Sequence, residues 1–353
     1  MSNLFDYINW RGDLPFGVAP FTPADAGVLA RLIYFPIEKM HLTLPATIGQ
    51  IAAAAKAAPL QGQLLHPEDG ALLAALGGNA RFGGVQLTDF AYTLDPVEQT
   101  QFCAGCFALG GRRYAIAFRG TDDTLTGWEE DFAMAFECPV QSQRLAGEYI
   151  NRISRPLGRY ILCGHSKGGN LAVYAGYACQ KPGKLQAIYC LDGPGFWPGV
   201  ADSPGMQQIA PIVQRYTPTG GIVGQIMQGV GECTVVQSSG SGGVEQHDLY
   251  RWHTTPTGFT TAPGLTPTAV RFSEAVQKLL TDMDMQQRRQ FVQAVFGVLR
   301  TGGATTVAQL GKLGPTTLLQ MAVNARNLPD QTKELLQRTI AAFVGAVMDR
   351  GDK

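Results

Sequence analysis

A serine between two glycines is the residue best placed to do chemistry in this chain of 353 residues. Ser166 lies in the run Gly-His-Ser-Lys-Gly, after an apolar, strand-like segment and before a helical one. The flanking glycines permit a turn too tight for Cβ atoms, and such a turn holds a serine hydroxyl above the carboxyl edge of a sheet. The following helix directs free N–H groups at the same point. The pattern predicts a nucleophile elbow, and the simpler alternative is a glycine-rich turn that contains a chance serine.

A serine hydroxyl is a weak nucleophile at neutral pH and needs a general base within hydrogen-bond reach. Hydrolases with such an elbow order their catalytic residues along the chain as serine, acid and histidine. The chain has 5 histidines, of which two precede the predicted sheet and His165 lies inside the elbow itself. His247 follows the last predicted strand after a short glycine-rich loop. We expect His247 to be the base, with His253 as the alternative.

The carboxylate that orients the base is expected at the end of a strand between Ser166 and His247. Asp192 follows the apolar run 187–191 and precedes Gly-Pro-Gly. A carboxylate at such an edge can accept the imidazole N–H and fix its tautomer, although aspartate before glycine often serves only to cap a turn. We expect Asp192 to be the acid and keep Asp202 as a weaker alternative.

Acyl transfer also requires two donors aimed at the negative charge that develops on the carbonyl oxygen. One expected donor is the backbone N–H of Lys167, directly after the serine. The other is Thr121, in the loop after the predicted strand 115–119, through its backbone N–H and its hydroxyl. The side chain of Lys167 brings a cation to the elbow, where it either binds an anionic group of the substrate or is simply solvated.

The composition excludes several other classes of function. The chain is 45% hydrophobic and has 28 basic and 28 acidic residues, so nothing favours binding to nucleic acid or to an anionic membrane surface. No apolar run reaches the roughly 18 residues of a membrane span, and the first residues lack a signal-peptide pattern, so we expect a cytoplasmic protein. Of 7 cysteines, Cys103 and Cys106 have Cys-x-x-Cys spacing but no second ligand pair. We expect no metal site and no cofactor.

The order strand, elbow, helix, strand predicts a mostly parallel sheet with right-handed crossovers, an α/β fold. A helical segment is expected before the sheet and a helical appendage after it, with a domain at 1–264 (mainly helical over 1–80) and a helical region at 265–353. Strands are predicted from near residue 85 and at 102–109, 113–119, 159–163, 186–191, 211–217 and 233–238, with a polar loop at 120–127. Helices are predicted at 24–35, 48–58, 66–76, 140–154, 167–180, 270–283, 286–300, 306–310, 315–325 and 331–349.

These motifs together resemble those of class 3 lipases, which are α/β-hydrolases. The residues that carry the resemblance are Phe118-Arg119-Gly120-Thr121, Trp128, Asp131-Phe132 and the elbow from Gly164 to Gly169. Closer still is the similarity to a largely uncharacterised bacterial family of lipase-like proteins, a domain of unknown function, over roughly residues 1–260. The further matching segments are Asp6-Tyr7, Trp10–Asp13, Asp122-Asp123, Asn170, Asp192–Phe196, Ile222–Gly224 and Gln246–Asp248.

The resemblance implies an α/β-hydrolase fold with Ser166 as nucleophile, His247 as base and Thr121 at the oxyanion hole. Two departures distinguish this chain from class 3 lipases. Those lipases place the acid after the next strand, where this chain has Thr219-Gly220-Gly221, and they usually have an aliphatic residue at the position of Lys167. The acid is therefore expected elsewhere, at Asp192, and the lipid preference of those lipases does not transfer directly.

The sequence thus predicts a serine hydrolase that cleaves an ester or related acyl bond through Ser166, His247 and Asp192. The expected substrate is a small-molecule acyl ester or a lipid, while peptides and thioesters stay open. The alternative is a catalytically weak or inactive hydrolase-like protein that binds a partner, or regulates one, through its helical tail.

Overall fold

An eight-stranded sheet forms the centre of the computed structural model, which describes residues 2–58, 60, 62–300, 303–306 and 309. The strands lie in the sheet in the same order as in the chain. Strands β1 to β4 pair antiparallel, and β4 to β8 pair parallel. Their bounds are β1 Ala46–Thr47, β2 Gln86–Asp95, β3 Thr100–Gly110, β4 Arg113–Phe118, β5 Arg159–His165, β6 Leu185–Leu191, β7 Val213–Pro218 and β8 Glu232–Val236. The predicted α/β fold class is confirmed.

Helices cover both faces of this sheet. A small hairpin of β9 (Thr254–Thr255) and β10 (Gly258–Phe259) follows the sheet. In the described part of the chain the α-helices are α1 Leu4–Arg11, α2 Pro23–Leu32, α3 Ile48–Ala57, α4 Asp69–Gly77, α5 Leu125–Ala133, α6 Gln141–Ile153, α7 Lys167–Tyr177, α8 Pro198–Ala201, α9 Pro204–Ile209, α10 Gly243–His247, α11 Pro267–Asp282 and α12 Met285–Arg300. Helices α2, α3 and α4 lie close to the three predicted helices of the N-terminal part, and α1 is an additional helix that was not predicted from the sequence.

The strand that leads to the elbow is buried on both faces, which explains its uninterrupted apolar sequence. Ile161 and Cys163 on β5 belong to the core that includes α2. Tyr160 and Leu162 point the other way, into the core that contains α6 and α7. The end of β5 is thereby fixed from both sides, and the residues that follow it start from a rigid position.

Two local features compare directly with the sequence prediction. Gly110 and Gly111 form the predicted tight turn between β3 and β4, with φ of +85° and +59°, values that favour glycine. The segment 120–127, however, is only partly the predicted polar loop, because α5 begins at Leu125. The Thr124 side chain accepts a hydrogen bond of 3.1 Å from the N–H of Gly127 and caps this helix, so polar residues that suggested a loop are its N-terminal cap.

The C-terminal helices α11 and α12 agree with prediction, and α12 packs against α5. Phe296 on α12 is buried and its ring lies 5.5 Å from that of Phe132 on α5, between ring centroids. The predicted helices at 315–325 and 331–349, and most of that at 306–310, lie outside the described residues. The domain boundary after residue 264 stays a prediction. Over the described residues, no helix combines the length and the apolar character that crossing a membrane requires.

The two cysteines with Cys-x-x-Cys spacing lie in β3 and face opposite sides of the sheet. Burial raises the pKa of Cys103 to about 12 and that of Cys106 to about 11. Thiols in this state are poor nucleophiles and poor metal ligands. In the described ranges, no group of three or more His, Cys, Asp or Glu side chains is placed to hold a metal ion.

Candidate active site

The turn at Ser166 has the geometry of a nucleophile elbow. Ser166 lies between the end of β5 and the first residue of α7, with φ of +58° and ψ of −134°, a strained conformation for a residue with a Cβ. A Cβ on Gly164 would lie 2.1 Å from the carbonyl oxygen of Gly168, and one on Gly168 would lie 2.2 Å from that of Phe118. Only glycine fits at these two positions, as the sequence pattern predicts.

Asp192 and His247 are joined by a direct hydrogen bond. Nδ1 of His247 lies 2.7 Å from Oδ2 of Asp192. The carboxylate is fully buried, whereas the imidazole keeps 18% of its side-chain surface exposed. An imidazole that donates from Nδ1 to a carboxylate keeps the lone pair of Nε2 available, and this is the tautomer that a general base requires.

The carboxylate of Asp192 is held in place by two further donors. Its Oδ1 atom accepts hydrogen bonds of 2.7 Å from the hydroxyl of Thr217 and of 3.0 Å from the N–H of Gly224. Asp192 directly follows β6, and Thr217 lies near the end of β7, the next strand. Asp192 therefore lies one strand before the strand end at which class 3 lipases place their acid, and Thr217, near that next strand's end, donates to it.

The ring of His247 rests against His165, the residue before the elbow serine. The two ring centroids are 4.3 Å apart, and Nε2 of His165 lies 2.8 Å from the backbone carbonyl oxygen of His247. Burial, followed by the neighbouring His247, holds the pKa of His165 well below its usual value. His165 is therefore a neutral donor to the segment that carries His247. No hydrogen bond links Ser166 Oγ to His247 within the described residues; such bonds often tighten only when substrate is bound.

The loop that carries Thr121 runs directly against the elbow. A Cβ on Gly120 would lie 3.2 Å from the Cβ of Ser166 and 2.6 Å from the carbonyl oxygen of His165. No acceptor for the N–H of Thr121 is found in the described part of the chain. Lys167 is the first residue of α7, and a helix leaves its first N–H groups without intrahelical acceptors. Both expected backbone donors are therefore free and close to Ser166.

Both sequence-based expectations for the side chain of Lys167 are wrong. It is neither solvated nor directed at a substrate: it is fully buried, and its Nζ lies 2.9 Å from Oε2 of Glu130. Asp131 is the second carboxylate beside it, with Oδ1 at 3.6 Å. Burial alone would lower the pKa of the lysine, but the two carboxylates raise it above the usual value. The positive charge of Lys167 is therefore paired with carboxylates of the protein itself.

The hydroxyl of Thr121 is also engaged, as it donates to Oδ2 of Asp131. The sequence suggested that Thr121 could donate to the oxyanion from both its backbone and its hydroxyl. The hydroxyl has one proton, which this bond uses, so the backbone N–H is the donor that remains. Asp131 was visible in the sequence only as part of the lipase resemblance.

The alternative site residues lie in other surroundings. His253 contacts Gln237, with 3.4 Å between Nδ1 and Oε1, and Asp202 accepts a hydrogen bond of 2.6 Å from Gln228. His66, from the N-terminal part, lies 3.3 Å from the carboxylate of Asp248, which follows His247 in the chain. Neither His253 nor Asp202 takes part in the Asp192–His247 pair.

Among the contributors that sequence reasoning missed are Glu130 and Tyr34. Glu130 binds Lys167 and also accepts hydrogen bonds from the N–H groups of Ser142 (2.7 Å) and Gln101 (3.0 Å). Tyr34 is buried against the elbow, with its hydroxyl 3.4 Å from the carbonyl oxygen of His165. The departure at Lys167 from the lipase pattern was the one signal that pointed to a partner carboxylate such as Glu130.

Comparisons with known proteins bear on family and fold. A family model described as Mbeg1-like matches residues 76–297. Among solved structures, a triacylglycerol lipase from Penicillium expansum is similar with 16% sequence identity and a TM-score of 0.32, over 51% of this chain and 81% of the lipase. A likeness this weak adds nothing to the sheet topology described above. The comparison with curated proteins finds no match.

Proposed function

Because the chain belongs to the Mbeg1-like family, which is lipase-like, we propose that it is a serine hydrolase that cleaves an ester or related acyl bond. The observation that carries this proposal is the hydrogen bond between His247 and the buried Asp192, next to a strained serine elbow. A buried carboxylate that holds the Nδ1 proton leaves the Nε2 lone pair of His247 free to accept a proton, as a general base must.

In the proposed reaction, Ser166 Oγ forms a bond to the acyl carbon while its proton moves to Nε2 of His247. The N–H groups of Thr121 and Lys167 stabilise the resulting oxyanion. The tetrahedral intermediate then collapses, the bond to the leaving alcohol breaks, and the alcohol takes the proton from His247. Water, activated by the same imidazole, hydrolyses the acyl-enzyme and restores Ser166. No cofactor is required by this sequence of steps.

The proposed substrate is a small-molecule acyl ester or a lipid ester. The chain has a formal net charge of zero, and the donors expected at the elbow are uncharged backbone N–H groups. Both features are compatible with a neutral acyl group. The buried side chain of Lys167 is not available to bind a carboxylate or phosphate of the substrate.

Hydrolysis of p-nitrophenyl esters of butyrate and octanoate tests the proposal. We expect turnover by the wild type and a loss of at least about 10⁴-fold in kcat for Ser166→Ala. Ser154→Ala is the matched control, because the Ser154 hydroxyl makes no hydrogen bond with the described residues. Equal activity of Ser166→Ala and wild type, or no activity in either on any ester length, contradicts the proposal.

A further inference from the structure

A buried charged cluster joins the elbow to helix α5. It consists of Lys167 on α7 and of Glu130 and Asp131 on α5, with Thr121 bound to Asp131 from the loop after β4. The side chains of Lys167 and Glu130 are 0% and 2% exposed, and that of Asp131 is 21% exposed. Removing charges from water costs several kcal/mol unless they are paired, so a cluster of this kind beside a reactive serine calls for an explanation.

The protonation state of Asp131 decides what the hydroxyl of Thr121 can do. An ionised carboxylate only accepts hydrogen bonds, so it takes the hydroxyl proton of Thr121 and holds the loop against α5. A protonated carboxyl carries a proton of its own and can donate to Thr121 Oγ1 instead, which reverses the bond. The position and the donor capacity of the Thr121 loop therefore depend on the charge of Asp131.

We propose that the side chain of Lys167 is a positioning group, which keeps Asp131 ionised so that Asp131 fixes the Thr121 loop with its backbone N–H directed at the oxyanion. The inference rests on the proposed function and deepens it. It explains why a cation stands directly after the nucleophile, where class 3 lipases usually have an aliphatic side chain.

The charges around Asp131 act in opposite directions. Burial raises the pKa of Asp131, the charge of Lys167 and the hydroxyl of Thr121 lower it, and the charge of Glu130 raises it; together they place this pKa at about 6. Tyr34, whose pKa is itself raised by burial, faces the same carboxyl as a neutral group. At pH 7 Asp131 is therefore mostly ionised and becomes protonated as the pH falls through about 6. Lys167 is the one cation in contact with it in the described part of the chain.

Titration of Asp131 tests the electrostatic part of the inference without reference to activity. In protein labelled with ¹³C at aspartate Cγ, the signal of Asp131 is assigned by its loss in Asp131→Asn. We expect Lys167→Gln to raise the titration midpoint by about one pH unit or more, and Glu130→Gln to lower it by about one unit, since it removes a like charge and leaves Lys167 to Asp131 alone.

Opposite shifts in these two variants support the inference. An unchanged midpoint in both variants overturns it, as does a shift of both in the same direction. If Lys167→Gln fails to fold, Glu130→Gln decides together with amide hydrogen exchange over 125–133. A downward shift with exchange unchanged from the wild type supports the inference. An unchanged or upward midpoint overturns it, and so does a downward shift with faster exchange, because water that reaches Asp131 also lowers its pKa.

The pH profile of ester hydrolysis tests the link to the reaction. We expect Lys167→Gln to move the acid limb of the kcat/KM profile to higher pH, by the same number of pH units as it raises the titration midpoint of Asp131. In the Asp131→Asn background the same substitution is expected to leave the profile in place, because the two residues act as a unit. An equal shift in both backgrounds overturns the inference and leaves the proposed function standing. A wild type that titrates as expected but hydrolyses no ester contradicts the proposed function and leaves the ion pair supported.

Discussion

Oδ2 of Asp192 accepts a hydrogen bond of 2.7 Å from Nδ1 of His247, across 55 residues of chain. The bond joins a buried carboxylate at the end of β6 to a histidine that ends the short helix α10. Because Asp192 also binds Thr217 and Gly224, it cannot turn away without leaving donors unpaired. The direction of the imidazole is thus set by the ends of two neighbouring strands.

Replacing this carboxylate tests its role in orienting the base. Asp192→Asn keeps the shape of the side chain but can present an N–H₂ to the imidazole, which favours the wrong tautomer. We expect kcat for ester hydrolysis to fall by roughly 10³–10⁴-fold with little change in KM. Asp202→Asn, at the alternative aspartate, is the control and should retain the activity of the wild type. Comparable losses in both variants argue against Asp192 as the orienting acid.

The buried His165 predicts a pH dependence of stability. Its pKa is well below normal in the folded protein and near 6.5 in the unfolded chain, so below about pH 6.5 the unfolded state binds more protons. Stability from keeping this imidazole neutral is fully present above that pH and is lost as the pH falls, by up to about 1.4 kcal/mol per pH unit.

Urea unfolding from pH 7.5 to pH 5 measures this effect. His165→Gln retains a donor for the carbonyl of His247 but does not titrate, so its free energy of unfolding should fall less steeply on acidification than that of the wild type. His41→Gln, at an exposed histidine, serves as the control. Parallel curves for wild type and His165→Gln would show that His165 does not contribute this stability. The Asp131 carboxyl, common to all three proteins, cancels in the comparison.

Helix α12 is expected to stabilise the segment that carries Glu130 and Asp131. Phe296 is 1% exposed and packs on Phe132 of α5. Phe296→Ala should lower the free energy of unfolding by about 3–5 kcal/mol and speed amide hydrogen exchange over 125–133.

The control for this prediction is Met285→Ala, at a half-exposed position at the start of the same helix. It should change stability by no more than about 0.5 kcal/mol. If exchange over 125–133 is the same in Phe296→Ala as in the control, α12 does not support α5.

The elbow and its strands could be predicted because their signals are local in the chain. Apolar runs, paired glycines and a serine between them specify a tight turn wherever they occur after a buried strand. The resemblance to class 3 lipases is confirmed at the level of a lipase-like family, while its bacterial branch stays a prediction. Asp192 and His247 were identified by elimination and by their place at strand ends, and the structure brings them together.

The Lys167–Glu130 pair could not be predicted, because nothing local to either residue marks it as buried. Charged side chains are usually exposed. In addition, the first residues of α5 lie in the segment 120–127, which the sequence predicts to be a loop. The contact depends on how α5 packs over the elbow, which involves residues 37 apart. The contact of His165 with His247 could not be predicted for the same reason, because it depends on where α10 ends in the folded protein.

Covalent labelling identifies the nucleophile most directly. A fluorophosphonate reacts with an activated serine and leaves a phosphonyl group on its Oγ, which mass spectrometry locates by peptide. We expect one adduct on the wild type, on the peptide that contains Ser166, and none on Ser166→Ala or after denaturation. An unlabelled wild type, or the same adduct on Ser166→Ala, would contradict the account.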